Sequence, residues 1–130
     1  MAERSKDWWK QAESDLEHAR DSRDLGDHDW ASFAAHQAAE KAIKALYQKL
    51  HMDAWGHSVS ELLQSLPEGI RPGNDRIDAA KILDKNYIPT RYPNGLERGA
   101  PTDYYTRIEA EQAIQHAEAI LEFCRRQIDR

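Results

Sequence analysis

The 130-residue chain has a single cysteine, Cys124, so no disulfide can close within it and no cysteine cluster can hold zinc. A reducing cytoplasm is the natural setting for such a chain. Glycine and proline are sparse, at six and five residues, and concentrate in PEGIRPGND and IPTRYPNGLERGAPTDYY. No apolar run approaches membrane-spanning length, and the amino-terminal MAERSKDWWKQAESDLE lacks a secretory apolar core, so neither a membrane helix nor a leader is expected. Excess positive charge is missing too. The formal net charge is -5, so bulk attraction does not draw the molecule to nucleic acid, and an RNA or nucleotide site has to be a local patch. What is present suffices to fold: 40% of residues are apolar and 32% charged, at a length that suits a single domain over residues 1–130 with one modest core.

Five helical segments emerge, and no strand. The first covers roughly residues 5–25, with Trp8, Trp9, Ala12, Leu16 and Ala19 on one face at helical spacing. Gly26 supplies a stop, because glycine enters the left-handed cap conformation cheaply, and Asp27 or Asp29 can cap the next helix. That second helix covers about residues 30–51. Ala31, Ala34, Ala35, Ala38, Ala39, Ala42 and Ala45, joined by Ile43, Leu46 and Leu50, fill most of half its circumference. So wide a face of small residues lets neighbouring backbones approach on two sides, which predicts a central place in a bundle. Gln37, Glu40, Lys41 and Lys44 gather on the remaining arc with Phe33.

Ser58 and Glu61 make a capping-box pattern ahead of a short third helix, SVSELLQSL, ended by Pro67. A fourth helix, about residues 75–87, puts Ile77, Ala80, Leu83 and Tyr87 on one side. The stretch IPTRYPNGLERGAPTDYY then excludes a regular helix, and so long a connector in a small bundle is functional or mobile. Thr106 and Glu109 repeat the capping signal before a last helix. Its apolar stripe is Ala110, Ala113, Ile114, Ala117, Ile120, Leu121, Cys124 and Ile128, with Glu111, Gln115, Glu118 and Glu122 opposite. The expected fold class is all-α, an antiparallel up-and-down bundle of four long helices plus a short one.

WWKQAESDLEHA in the first helix, WASFAAHQAAEKAIKALYQKL in the second, GHSVSELL at the third and NYIPTRYPNG after the fourth occur in an informative order. With the alanine-rich final helix, they make the chain resemble the HEPN domain family, small helical domains named for nucleotide binding in higher eukaryotes and prokaryotes. The resemblance implies an antiparallel bundle that often forms homodimers. It also implies frequent pairing with a small nucleotidyltransferase in toxin–antitoxin-like modules, and no cofactor. Some members are metal-independent ribonucleases, using an arginine followed about four to six residues later by a histidine in the later part of the domain. Here the first histidine after Arg91 and Arg98 is the distant His116, and Arg71 and Arg76 have none nearby. Arg23 and His28, in RDLGDH, meet the spacing but lie in the turn between the first two helices, with Gly26 between them.

Three places could bind a ligand. On the second helix, Lys41 and Lys44 suit phosphate as movable point charges, and Gln37 can add a directional hydrogen bond. The same residues read as a solvated helix face, in which the Glu40–Lys44 i,i+4 pair contributes about 0.2–0.5 kcal/mol. On the residues alone the solvated face is the stronger reading; the resemblance brings the two nearer even, since its QxxEK arrangement recurs at the family's proposed pocket. In TRYPNG, Arg91 offers a planar fork matched to phosphate or carboxylate, and Tyr92 can stack on a base, typically worth roughly 1–3 kcal/mol. Alternatively, Arg91 pins the loop to a carboxylate such as Glu40 or Asp15, with Tyr87 and Tyr92 as packing residues. In GHS, His57 can serve as general base or phosphate partner near neutral pH, or as a local contact before a helix cap.

The expected ligand set is Gln37, Glu40, Lys41, Lys44, His57, Arg91 and Tyr92, for a nucleotide or RNA, and His57 and Arg91 are the candidates for any catalytic part. The remaining histidines show no metal-like spacing. Trp8, Trp9, Trp30 and Trp55 read as core or dimer-contact residues.

Overall fold

The computed structural model describes residues 3–130. Six helices follow one another: α1 (Ser5–Asp24), α2 (His28–Lys49), α3 (Val59–Gln64), α4 (Asn74–Asp84), α5 (Pro101–Tyr104) and α6 (Arg107–Ile128). Single 3₁₀ turns occur at Glu68–Ile70 and Pro93–Gly95. No strand occurs among the described residues. The long helices form the antiparallel bundle expected, and among the described residues no helix is long and apolar enough to cross a membrane.

Helix α2 is the central rod, packed most extensively on α1 and α6. Its seven alanines are at most 5% exposed, with Ile43 and Leu46 fully buried between them. From α1 come Ala12, Leu16 and Ala19; from α6 come Ala113, Ile114, Ala117, Ile120, Leu121, Phe123 and Cys124. The sequence pattern omits Phe123, whose ring meets the Arg76 guanidinium at 5.9 Å. Burial pushes the Cys124 thiol well above its ordinary range, consistent with an inert packing residue. The tryptophans depart from a core reading. Trp9 packs on the core, but Trp30 and Trp55 are exposed at 47% and 83%.

The connections explain the boundaries. Gly26 sits at φ +86°, and the Asp27 N–H donates to the Ser22 carbonyl at 2.8 Å, a left-handed closure that ends α1. Helix α2 begins earlier than expected, at His28. Asp27 occupies its N-cap position without a side-chain cap bond, and Asp29 is engaged elsewhere. Thr106 and Glu109 form the expected capping box. At α3, Ser58 Oγ accepts from the Glu61 N–H at 3.2 Å, but most capping comes from Asp84, the last residue of α4. Its carboxylate accepts from the Val59 N–H (2.7 Å), the Ser60 N–H (3.1 Å), Ser60 Oγ (2.6 Å) and Ser58 Oγ (3.0 Å). This fixes the end of α4 to the start of α3, and α4 stops at Asp84, short of Tyr87. The proline-rich connector is not wholly irregular. Pro101 opens the one-turn α5 at its first position, where proline's missing N–H has no helical partner to lose.

Candidate functional site

The arc of α2 expected to form one polar stripe divides three ways. Lys41 turns sideways to Asp15 of α1, 2.5 Å away, and both side chains are largely shielded. Gln37 Oε1 contacts Nδ1 of the fully buried His36 at 3.1 Å. Glu40 is not a surface group: it is 4% exposed. The 50–58 connector folds back over α2 and lays His57 across it, so that His57 Nδ1 stands 3.2 Å from both carboxylate oxygens. Lys44 Nζ donates to Glu40 Oε2 at 2.9 Å, which is the i,i+4 pair visible in the sequence. Glu40, Lys44 and His57 are therefore in direct contact.

Arg91 lies at the other end of the arc. It pins its loop to a carboxylate, but that carboxylate is Asp29, not Glu40 or Asp15. Asp29 is in the first turn of α2, where its charge also suits the helix dipole. The guanidinium carbon lies over Trp30, 3.6 Å from the ring centroid, and 5.9 Å from that of Phe33. Little of Arg91 is exposed, and while one Nη bonds Asp29, its buried Nε–H makes no hydrogen bond among the described residues. Tyr92, next in the chain, is 55% exposed and is no packing residue.

An aromatic row joins the two ends. Phe33 stacks on Tyr87 (centroids 6.1 Å apart), and Tyr87 stacks on His57 (5.1 Å). Tyr87 is thus the packing residue expected of it, although it lies beyond α4. From Trp30 to Lys44 the helix rises about 20 Å. Arg91 and Lys44 accordingly stand at opposite ends of a row and do not line one cavity. A groove of about 290 Å³ at the Lys44 end runs instead toward Trp8, Tyr47, Met52 and Trp55.

Sequence reasoning misses three members of this arrangement. Asp29 reads in the sequence only as a cap. His36 and Asp84 carry no local signal, because their meeting depends on how α4 crosses α2. His36 Nε2 is 3.4 Å from Asp84 Oδ1, a long contact. Burial pushes the Asp84 carboxyl up, but the contact from His36 and the hydrogen bonds from Ser60 and Val59 outweigh it and hold the group at about 2. The bonds from Ser60 and Val59, at 2.6–3.1 Å, are the well-formed ones. The arginine and histidine of RDLGDH are not paired. Arg23 Nε bonds Asp24 at 3.0 Å in the last turn of α1, and His28 opens α2. No group of three or more His, Cys, Asp or Glu residues suited to a metal ion occurs among the described residues.

This geometry sits in a fold shared with solved proteins. TT1696 from Thermus thermophilus is 48% identical, with 97% of this chain and 99% of that one aligned at a TM-score of 0.94. The archaeal HEPN homologue ST0689 is 42% identical over 98% and 99% of the two chains, with a TM-score of 0.83. A HEPN domain protein of Thermotoga maritima, tm0613, is 36% identical over 95% and 98%, with a TM-score of 0.77. Among curated proteins no match emerges. The profile of the HEPN domain matches residues 5–127, and with relatives this similar along nearly the whole chain, the protein belongs to the HEPN domain family.

Proposed function

We propose that this HEPN domain is a binding module whose ligand is a nucleotide, held along the α2 row between Arg91 and His57, and that it works beside a nucleotidyltransferase partner in a toxin–antitoxin-like pair. One observation carries the reading. Arg91 and His57, two groups able to meet phosphate, are each held from behind by a buried carboxylate, Asp29 and Glu40 respectively, with the aromatic faces of Phe33 and Tyr87 between them. Nε2 of His57 makes no hydrogen bond among the described residues, and the ring is 56% exposed, so as the imidazolium, with Nδ1–H facing Glu40, it can donate from Nε2 to a phosphate oxygen. Trp30 and Tyr92 supply exposed rings on which a base can stack. Gln37 and Lys44 flank the row, whereas Lys41, committed to Asp15, has the smallest part.

Isothermal titration with ribonucleotides tests the reading. The wild type binds, and His57→Ala and Tyr92→Ala each weaken binding about tenfold, the loss of one directional or stacking contact. No heat with any nucleotide, or unchanged affinity in both folded variants, refutes it. The partner half is tested separately: a nucleotidyltransferase encoded beside the gene that co-elutes with this chain supports it, and the lack of such a neighbour, or one that does not co-elute, counts against it.

A second reading, a metal-independent RNA endonuclease, draws on the His57–Glu40 contact, since a carboxylate that orients an imidazole prepares it for proton transfer. Cleavage of RNA in chelator, lost in His57→Ala, supports that reading; highly purified protein that leaves RNA intact removes it. A purely structural dimerisation domain binds neither nucleotide nor RNA.

A further inference from the structure

The end of the bundle where α1 begins and α2 and α6 finish carries cations that the protein itself leaves unanswered. Lys6 and Lys10 lie one turn apart on α1, Lys49 is the last residue of α2, and all three are exposed. Neither they nor Arg130 enter an ion pair among the described residues. Lys6 and Lys10 are like-charge i,i+4 neighbours, an arrangement that disfavours the helix unless an anion meets them. The chain as a whole has a net charge of -5, so this patch runs against its overall sign.

The cations surround an apolar groove. Two hollows of about 450 and 270 Å³ share Lys49 and Ile128. Trp9 and Ile128 floor the larger, and Leu50, Ile70 and Ile128 the smaller. All four apolar residues pack on the core but are only partly buried, so each still offers surface to the groove. Lys6, Lys10 and Lys49 rim the larger hollow, and Arg130 borders the smaller. Two carboxylates, Glu13 and Asp129, also line the larger one, but Asp129 faces Arg125 at 3.9 Å. The groove is separate from the aromatic row: Lys49 lies about 14 Å along α2 from Glu40, the carboxylate that holds His57.

We propose that this groove binds a single-chain carboxylate amphiphile, a medium-chain fatty acid, with its tail on Trp9, Ile128, Leu50 and Ile70 and its head among Lys6, Lys10 and Lys49. The composition of the groove selects that occupant. An apolar floor alone takes any hydrocarbon, and a lysine cluster alone takes any small anion. Only an amphiphile with a negative head uses both. Lysines suit such a head, because each is a movable point charge that can follow a carboxylate. The hollows match the size of small-ligand sites, roughly 300–1,000 Å³, and so accommodate one chain. Their concave floor receives that chain, whereas anchorage to a bilayer surface needs apolar side chains that project outward.

Isothermal titration with decanoate, below its micelle concentration and at low ionic strength, tests the proposal. The wild type binds, and each methylene added between octanoate and decanoate tightens binding about threefold as apolar surface is buried. Decyltrimethylammonium, with the same tail and the opposite charge, binds about tenfold more weakly. Lys10→Gln/Lys49→Gln lowers decanoate affinity about tenfold but keeps the gain per methylene, which separates the head contact from the tail contact. Ile128→Trp fills the place where the two hollows meet and abolishes binding. Thermal unfolding shows that the variants fold, and should Ile128→Trp fail to, the exposed lysine pair decides. No binding of decanoate, equal affinity for the cationic amphiphile, an unchanged lysine variant, or displacement of decanoate by AMP overturns the proposal. Binding to phosphatidylglycerol vesicles without binding of free decanoate assigns the patch to a membrane surface and overturns it as well.

Discussion

Nδ1 of His57 stands 3.2 Å from both carboxylate oxygens of Glu40, yet the two residues occupy different environments: the carboxylate is 5% exposed and the imidazole 56%. Lys44 Nζ reaches the same carboxylate at 2.9 Å with its own side chain 15% exposed. Glu40 is thus an acceptor enclosed by two donors, and the consequences of removing each partner are unequal. Glu40→Ala leaves Lys44 shielded without its anion and should cost about 1–3 kcal/mol. His57→Ala removes an exposed ring while Lys44 continues to satisfy Glu40, and should cost under about 1 kcal/mol. Urea unfolding of the two variants checks the order. A larger loss for His57→Ala would mean that Glu40 is not the buried member of the pair.

Arg91 is held from two sides, by Asp29 through an ion pair and by the face of Trp30. Both ion-pair side chains are mostly buried, 18% and 10% exposed. Truncating one partner strands the other's charge, so Arg91→Ala or Asp29→Ala should each destabilise by about 3 kcal/mol. Replacing both should cost clearly less than the sum of the two. Arg91→Lys keeps the charge but loses the flat fork that lies over Trp30, and should fall between wild type and Arg91→Ala. Because this pair ties down the 88–100 connector, the first proteolytic cuts in Arg91→Ala should fall there, before global unfolding. Strictly additive losses would show that the contact does not form.

The bundle was legible because its signals are local and periodic. The alanine face of α2, the apolar stripe of α6 and the Thr106–Glu109 capping box all depend on residues within a few turns of one another. The site was legible in part for the same reason. Glu40–Lys44 is an i,i+4 pair, and TRYPNG marked an arginine that anchors a loop. What escaped was decided by segments distant in sequence. Nothing near Glu40 announces that the 50–58 connector will bury it. Nothing near Asp29 identifies Arg91 as its partner 62 residues later. Asp84 looks like an ordinary helix-end carboxylate until α4 carries it to the start of α3. Of the two readings of the tryptophans, core or dimer contact, Trp30 and Trp55 depart from the first, since small alanine side chains fill the bundle centre while these rings lie at the surface.

Two left-handed helix ends offer opposite tests of one principle. Gly26 adopts φ +86° after α1, with open space around the position a Cβ would take. Gly26→Ala therefore meets no clash, and its cost is conformational, about 1 kcal/mol. His51 occupies the corresponding position after α2 at φ 57°, where the Met52 N–H donates to the Tyr47 carbonyl at 2.9 Å. His51→Gly should relieve the same strain and stabilise by up to about 1 kcal/mol. Thermal unfolding of the pair should move the midpoint down and up respectively. Equal signs would show that φ does not govern these sites.

Asp84 gives the fold a specific acid sensitivity. Its carboxyl is held at about 2, against 3.8 for an unconstrained aspartate: burial pushes it up, but the contact from His36 and the bonds from Ser60 and Val59 that cap α3 favour the charged form more. A carboxylate depressed on folding stabilises fully above its unfolded value, and that contribution drains away as pH falls through the folded value. The window is therefore the interval from about pH 4 down to about pH 2, and the shift corresponds to about 2 kcal/mol. Asp84→Asn keeps the shape and one acceptor but cannot carry the charge. Wild type should exceed it in stability near neutrality, and the gap should shrink by about 2 kcal/mol across that window. Urea titrations of both proteins at stepped pH measure the gap directly. A difference that stays constant from neutral pH through the window would mean that the Asp84 charge contributes nothing to holding α4 against α3, whatever its hydrogen bonds.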